Sequence, residues 1–370
     1  MTRFRAALLT KVGEPLAIEE LALASLAPGD VLVRLGASGL CHTDLEVMQG
    51  AIPLPLPIVL GHEGAGRVEA VGAGVTMVKP GDHVVCSWNP FCGRCFFCTR
   101  DQPILCEALT ASGPKGRLLD GGIRYARANG GAPVHHFSVV SSHAELCVVP
   151  ETGAIKVPRE IPFDRACLIG CGVMTGVGAA TRVAPAPVGG HALVVGCGAV
   201  GLNAVQGARM AGCTSVIAAD VTAAKRETAT RFGATETVDA AAPDALERVR
   251  ALTGGRGADV VYEAAGAEAG FRFALEAVRQ GGQLVFLGKV AAEKLVSFRW
   301  GSMMGEKRIV RSSYGGARPH RDFPMLARAY LDGRLKLDEL ITARLPLERI
   351  NDGFAAMARG EGIRTVVTFG

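Results

Sequence analysis

His191-Ala-Leu-Val-Val-Gly-Cys-Gly-Ala-Val-Gly201 is a short apolar run that passes directly into a Gly-x-Gly-x-x-Gly turn. Its reading decides the architecture of the middle of the chain. Leu202 to Gly212 then has helical composition, and Ser215-Val-Ile-Ala-Ala-Asp220 reads as the next strand. In such a strand–turn–helix unit Gly196 makes the tight turn, Gly198 lets the backbone approach a pyrophosphate, and Gly201 allows close helix–strand packing. The helix N-terminus offers free N–H groups and partial positive charge to the phosphates. Asp220, nineteen residues beyond Gly201, stands where a carboxylate binds the adenosine ribose hydroxyls. A 2′-phosphate would meet that charge, so the sequence favours NAD over NADP.

Alternation continues outward from this unit. Lys225 to Phe232 has a helical pattern, Ala258 to Tyr262 reads as a strand, and Phe271 to Arg279 as a helix. Gln283 to Leu287 and Ile309 to Ser313 add further strands. Strand–helix repetition implies a parallel, doubly wound sheet. The first part of the chain differs, with short β-rich pieces such as Asp30 to Arg34 and Asp82 to Cys86 between Gly and Pro turns. The expected organisation is α/β: an irregular β-rich domain over residues 1–172, a nucleotide-binding domain over 173–315, and a segment 316–370 returning to the first.

The eleven cysteines divide by spacing. Cys92, Cys95, Cys98 and Cys106 place four sulfurs within fifteen residues, enough to close a tetrahedron around one structural zinc. Cys41 in GLCHTD, His62 in GHEGAG and Cys171 in GCGVMTG are scattered. Together they make three ligands with a fourth position open, the arrangement of a catalytic zinc. Cys86, Cys147, Cys167, Cys197 and Cys213 sit singly in apolar or glycine-rich segments and read as reduced core residues. The expected content is two zinc ions per chain.

With these motifs in order, the chain resembles a zinc-dependent alcohol dehydrogenase of the medium-chain dehydrogenase/reductase superfamily. The resemblance implies a GroES-like catalytic domain interrupted by a Rossmann domain, with the active site in the cleft between them. It implies reversible oxidation of an alcohol to an aldehyde or ketone by hydride transfer to NAD. Thr43 then matches the hydroxyl that takes the alcohol proton, and Asp44 the carboxylate that orients the histidine ligand. Glu63 is a further acid beside His62, suited to contact the zinc during ligand exchange or to act through its charge. His42 and Arg364 match positions that hold the cofactor pyrophosphate, and Lys225 one that touches the adenosine ribose. Thr175 falls among the cofactor residues by the same resemblance. Glu46 stands where animal members often carry a proton-relaying histidine. The pair His135 and His136 has no third ligand at metal spacing and is expected to pack or cap.

The resemblance also names a substrate pocket: Ile52, Trp88, Ala111, Phe137, Ser138 and Lys289. Trp88 should crowd the zone near zinc while Ala111 and Ser138 open the outer end. A primary benzylic, allylic or medium-chain alcohol fits that profile. The alternative is the glutathione or another thiol adduct of formaldehyde. Relatives of that class bind the adduct's carboxylates with an acid and an arginine, at positions occupied here by Ile52 and Thr110, so Arg117 or Arg124 would have to compensate. A third reading is a non-enzymatic NAD-binding scaffold keeping only the four-Cys zinc. Cys171 opposes a polyol dehydrogenase, which usually has a carboxylate there.

Forty Lys and Arg against thirty-five Asp and Glu leave +5, too small and too evenly spread to imply nucleic acid. The N-terminal MTRFRAALLT lacks a signal-peptide pattern, and apolar runs are interrupted by Gly, Pro or charge. The expectation is a cytoplasmic enzyme of small alcohols and aldehydes with no membrane or nucleic-acid partner. The long stretch after Cys106, through Pro133, resembles the larger dimeric members of the family and not the trimmed tetrameric ones, which implies a homodimer joined through the Rossmann sheets, with a tetramer as the alternative.

Overall fold

The computed structural model describes residues 2–291 and 293–370. The chain divides into two compact units, Met1–Cys171 with Arg318–Gly370, and Gly172–Ala317.

The second unit is built on a six-stranded parallel sheet. Its spatial order is Glu236–Asp239, Ser215–Asp220, His191–Val195, Ala258–Glu263, Val278–Phe286 and Arg308–Arg311. Strand order reverses between His191–Val195 and Ala258–Glu263, so the chain turns in opposite directions on either side of that point, where such sheets open a crevice for ligands. Both strands are buried over most of their length, as the unbroken apolar runs require. Leu193, Ile217, Val261, Leu275 and Leu284 join one core between sheet and helices. The strand Glu236–Asp239 and the helix Ala245–Leu252 carry no strong sequence signal. Val238 is the strand's one fully buried side chain, and the helix buries only Ala245 and Val249.

The first unit combines a closed barrel with a seven-stranded sheet. The barrel comprises Thr2–Leu9, Ala17–Leu23, Tyr125–Arg127, Pro133–His136 and Ile58–Val59. In the sheet, Asp30–Gly39 pairs along one side with Glu63–Val71. Its other side is shared: Leu146–Pro150 takes the first half, and the C-terminal strand Arg364–Thr368 the second. That shared strand brings the two ends of the unit's sequence into one sheet.

Helical backbone runs without a break from Phe163 to Val183, with wide π-type turns at Ile169–Val173 and Ala179–Val183. At 21 residues and a mean hydropathy of 1.4 it is long and apolar enough to cross a membrane by length and composition, although glycines, Asp164, Arg165 and Arg182 interrupt it. The interrupting glycines and Arg182 do not stop the helix. Its most apolar stretch is 72% buried inside the protein, which accounts for the composition as that of a core helix.

Candidate metal centre and dinucleotide turn

Three elements of the first unit converge on the open ligand set. Cys41 leaves the strand Asp30–Gly39 and becomes the N-cap of the helix His42–Met48. His62 stands at the entry of Glu63–Val71, and Gly39 pairs with Glu63, so the strand register sets Cys41 beside His62. Cys171 projects from the π-type turn Ile169–Val173, a local widening that proteins often place at functional sites. The ligand atoms of Cys41, His62, Glu63 and Cys171 all lie within 4.8 Å of one another. Two thiols and an imidazole at this separation fit zinc, and Glu63 makes a fourth donor available.

Asp44 fixes the imidazole. It is fully buried, and its Oδ1 accepts from His62 Nδ1 at 3.2 Å and from the Gly61 N–H at 3.0 Å. Its Oδ2 accepts from the Cys41 N–H at 3.1 Å. Holding the proton on Nδ1 leaves Nε2 as the ligand nitrogen. Phe137 packs the edge of the same ring, centroid to centroid 5.6 Å.

The electrostatics suit a bound cation. A hydrogen bond from Cys171 brings the Cys41 pKa well below its ordinary value against the cost of burial, helped by the charges of His62 and Arg364. Burial raises Glu63 to about 7 although Arg364 pulls the other way. Arg364 Nη2 donates to Glu63 Oε1, while Oε2 is buried without a hydrogen-bond partner. Such an orphaned carboxylate oxygen beside three ligands fits a metal position. Arg364 itself is only 7% exposed, so the residue expected at the pyrophosphate is held against Glu63. Thr43 Oγ1 lies 3.9 Å from Cys41 Sγ, on the first turn of the same short helix.

Cys92, Cys95, Cys98 and Cys106 form the second cluster, again with sulfurs within 4.8 Å. Their lobe consists of single turns: Cys98–Arg100, Pro103–Leu105 and the left-handed Asp101. Backbone bonds aim at the sulfurs, as in the Cys92 N–H donating to Cys106 Sγ at 3.3 Å. Phe96 and Leu105 are 53% and 47% exposed, so the lobe has little core of its own and relies on the cluster to hold it together. Backbone N–H groups lower Cys95 to about 6, whereas burial raises Cys98 to about 12. The five remaining cysteines are free and buried.

In the second unit the glycine turn fits a pyrophosphate. A Cβ on Gly201 would lie 1.8 Å from the Gly196 carbonyl, and Gly196 itself has φ +92°. Gly198 is exposed and caps the helix Ala199–Met210 with no side-chain hydrogen bond, leaving the turn open to a ligand. Asp220 Oδ2 accepts from the Cys197 N–H at 2.8 Å and Oδ1 from the Thr222 N–H at 2.9 Å. The acid therefore ties the glycine turn to the end of the neighbouring strand. Lys225 is exposed on the helix Ala223–Arg231, and Thr175 is half-buried in Met174–Gly178.

The expected pocket residues are not all alike. Phe137 joins the metal centre, and Ser138 beside it has φ +49°. Trp88 is partly buried against a core cluster containing Val84 and Val149. Ile52 is half-buried, Ala111 and Thr110 are exposed, and Lys289 is exposed in the second unit. Arg124 does not supply the missing charge. It is buried, with Nε 2.6 Å from Asp30 Oδ2 and a second ion pair to Asp120. Arg117 is exposed and donates to the Gly121 carbonyl. His136 packs on Tyr125 and its Nε2 accepts from the Arg124 N–H, the structural part expected of it. His42 is exposed at the start of its helix. Sequence reasoning missed His143, fully buried with its Nε2 3.9 Å from Asp44 Oδ2. A single histidine in SSHAEL gives no signal of this.

Fold and site together define an oxidoreductase that depends on zinc and a nicotinamide cofactor, and the comparisons agree. Residues 27–159 match the alcohol dehydrogenase GroES-like domain and residues 199–331 the zinc-binding dehydrogenase domain. The chain is 38% identical to an alcohol dehydrogenase class-3 of Cereibacter sphaeroides, over 99% of this chain and 100% of that one. It is 37% identical to an S-(hydroxymethyl)glutathione dehydrogenase of Paracoccus denitrificans, with the same coverage. Among solved structures, the benzyl alcohol dehydrogenase of Acinetobacter calcoaceticus superposes with a TM-score of 0.94 at 27% identity, covering all of both chains. The chain belongs to the zinc-dependent alcohol dehydrogenases of the medium-chain dehydrogenase/reductase superfamily.

Proposed function

We propose that this enzyme oxidises a hydroxymethyl group, R–CH2OH, to the aldehyde level with NAD as hydride acceptor, and catalyses the reverse. The observation that carries the reading is the open donor set of Cys41, His62 and Cys171 backed by Asp44. Zinc held there supplies Lewis acidity to the substrate oxygen, and the nicotinamide supplies the redox chemistry. The chain's own residues do the rest. Thr43 is the hydroxyl placed to receive the substrate proton, and Asp44 keeps His62 in the ligating tautomer. Arg364 compensates the charge of Glu63. Gly196, Gly198, Gly201 and Asp220 hold the dinucleotide, with His42, Thr175 and Lys225 as further contacts. The acid at Asp220 favours NAD over NADP. Cys92, Cys95, Cys98 and Cys106 hold a second, structural zinc.

Two substrate readings meet this chemistry, and both present a primary –CH2OH. The curated relatives' names favour the thiol adduct of formaldehyde over the benzylic, allylic or medium-chain alcohol. The benzyl alcohol dehydrogenase fold supports the simple alcohol at lower identity. Ile52 and Thr110 supply no charge, and Arg124 is spent on Asp30 and Asp120, so of the two arginines only the exposed Arg117 is left to anchor a bulky carboxylated thiol. We therefore take hydroxymethyl thiols as the first substrates to test, with small thiols alongside glutathione. NAD reduction is followed with formaldehyde plus each thiol and with benzylic, allylic and aliphatic alcohols. Turnover of any primary –CH2OH substrate supports the reading, and the ranking selects between its two forms. Absence of NAD reduction across the panel in zinc-replete enzyme would refute it.

A further inference from the structure

Behind the open metal site lies a buried polar chain that the reaction does not itself require. Ser142 Oγ is 2.7 Å from Ser38 Oγ, and Ser38 Oγ is 3.0 Å from His143 Nδ1. All three residues are fully buried. Their backbone is laced to the ligand loop: the Ser142 N–H donates to the Gly61 carbonyl and the His143 N–H to the Leu60 carbonyl. A Cβ on Gly61 would lie 2.6 Å from both Ser142 Oγ and His143 Nδ1, so the glycine is what admits this chain beside His62.

The ring's other nitrogen faces Asp44. His143 Nε2 is 3.9 Å from Asp44 Oδ2 and has no hydrogen-bond partner. Burial holds the His143 pKa down at about 4, so the ring is neutral near pH 7. A neutral ring has one N–H. Were it on Nδ1, a lone pair on Nε2 would confront a buried carboxylate, which low dielectric makes costly. The consistent arrangement sends Ser142 O–H to Ser38, Ser38 O–H to Nδ1, and the positive end of Nε2–H towards Asp44. Asp44 already accepts from Cys41, Gly61 and His62, and a carboxylate has about four acceptor sites.

We propose that His143, locked by Ser38 and Ser142, is a positioning residue that keeps the Asp44 carboxylate aimed at His62, and so sets how tightly the open site holds its metal. This rests on the zinc reading of Cys41, His62 and Cys171. Groups one layer beyond the ligands, as Asp44 is, tune metal affinity by about 10–100-fold when removed, and His143 acts one step further out through Asp44, which puts its effect at the low end of that range.

The test compares wild type, His143→Phe, His143→Gln and Ser38→Ala by chelator competition, with the four-Cys zinc of each protein as internal reference. His143→Phe fills the space without an N–H and should release open-site zinc at about tenfold lower chelator, the reference unchanged. His143→Gln can accept from Ser38 and donate to Asp44, and should recover most of the loss. Ser38→Ala should weaken the open site by a smaller factor. Wild-type affinity in His143→Phe overturns the proposal, as does a Gln variant no better than Phe, which would reduce the ring to packing. Loss of both zincs alike in His143→Phe, with Ser38→Ala at wild-type affinity, also overturns it. Wild-type protein that takes up only the four-Cys zinc overturns the zinc reading itself, which separates that failure from this one.

Discussion

At the scale of single residues, the open donor set draws on Cys41, His62 and Cys171 from three separate segments. Cys171→Ser removes one of two thiolates from a cluster whose other members come from distant segments. Zinc analysis should show the open-site metal lost and the four-Cys metal retained. Turnover should fall by at least about 100-fold, since even groups beyond the ligands cost about 10–100-fold. Wild-type turnover in that variant would mean that the catalytic metal lies elsewhere. Asp220 has a structural part beside the cofactor contact proposed for it, because its two oxygens already accept the N–H groups of Cys197 and Thr222. Asp220→Gly should raise the KM for NAD by a factor equivalent to about 1.5–3 kcal/mol, the scale of a hydrogen bond to a charged group. It should narrow the gap to NADP and lower the melting temperature as the turn loses its anchor. A wild-type enzyme that already prefers NADP would contradict the assignment before any variant is made.

At the scale of elements, the lobe and the barrel are held by opposite means. The lobe Cys92–Cys106 has exposed apolar residues and only single turns, so its order rests on the sulfur cluster. Cys98→Ser should lower zinc content by one ion per chain and reduce thermal stability, because metal bound to such a lobe contributes folding free energy. Unchanged zinc content and melting temperature would dissociate the lobe from any metal. The barrel instead has an apolar core, with Phe4 edge-on to Tyr125 at 5.3 Å, and a buried ion pair at its margin. Arg124→Leu strands Asp30, which is 4% exposed, and should cost about 3–5 kcal/mol by denaturant unfolding. The same variant should leave the KM for formaldehyde–glutathione unaffected relative to simple alcohols. A selective rise for the adduct would reinstate Arg124 as a substrate contact.

At the scale of the whole molecule, the two proposed metal sites predict two separable responses to chelation. The open site offers three protein ligands where the lobe offers four, so activity should vanish with the first zinc removed and stability with the second. Zinc content, turnover and melting temperature followed together in one titration should show that order. Simultaneous loss would tie both sites to a single folding event.

Much of this enzyme was legible in its sequence because the informative residues are local. A four-Cys run within fifteen residues and a strand–glycine turn–helix unit carry their geometry in their spacing. Apolar runs at Ser215–Asp220 and Ala258–Glu263 mark buried parallel strands for the same reason. Elements with little apolar content, such as Glu236–Asp239, left no trace, since one buried valine is not a pattern. The substrate charges proposed for Arg124 failed because an arginine's partners, Asp30 and Asp120, are set by folding and not by its place in a loop. Arg364 met Glu63 only because the C-terminal strand pairs with Asp30–Gly39. His143 stands behind Asp44 because two backbone bonds lace it to the loop at Leu60 and Gly61. Sequence alone determined the four-Cys run and the strand–glycine turn–helix unit, because donor chemistry and short spacing are properties of the chain. Tertiary structure alone decided which buried charges face one another, because such pairs span up to 301 residues of sequence and exist only once the sheets have closed.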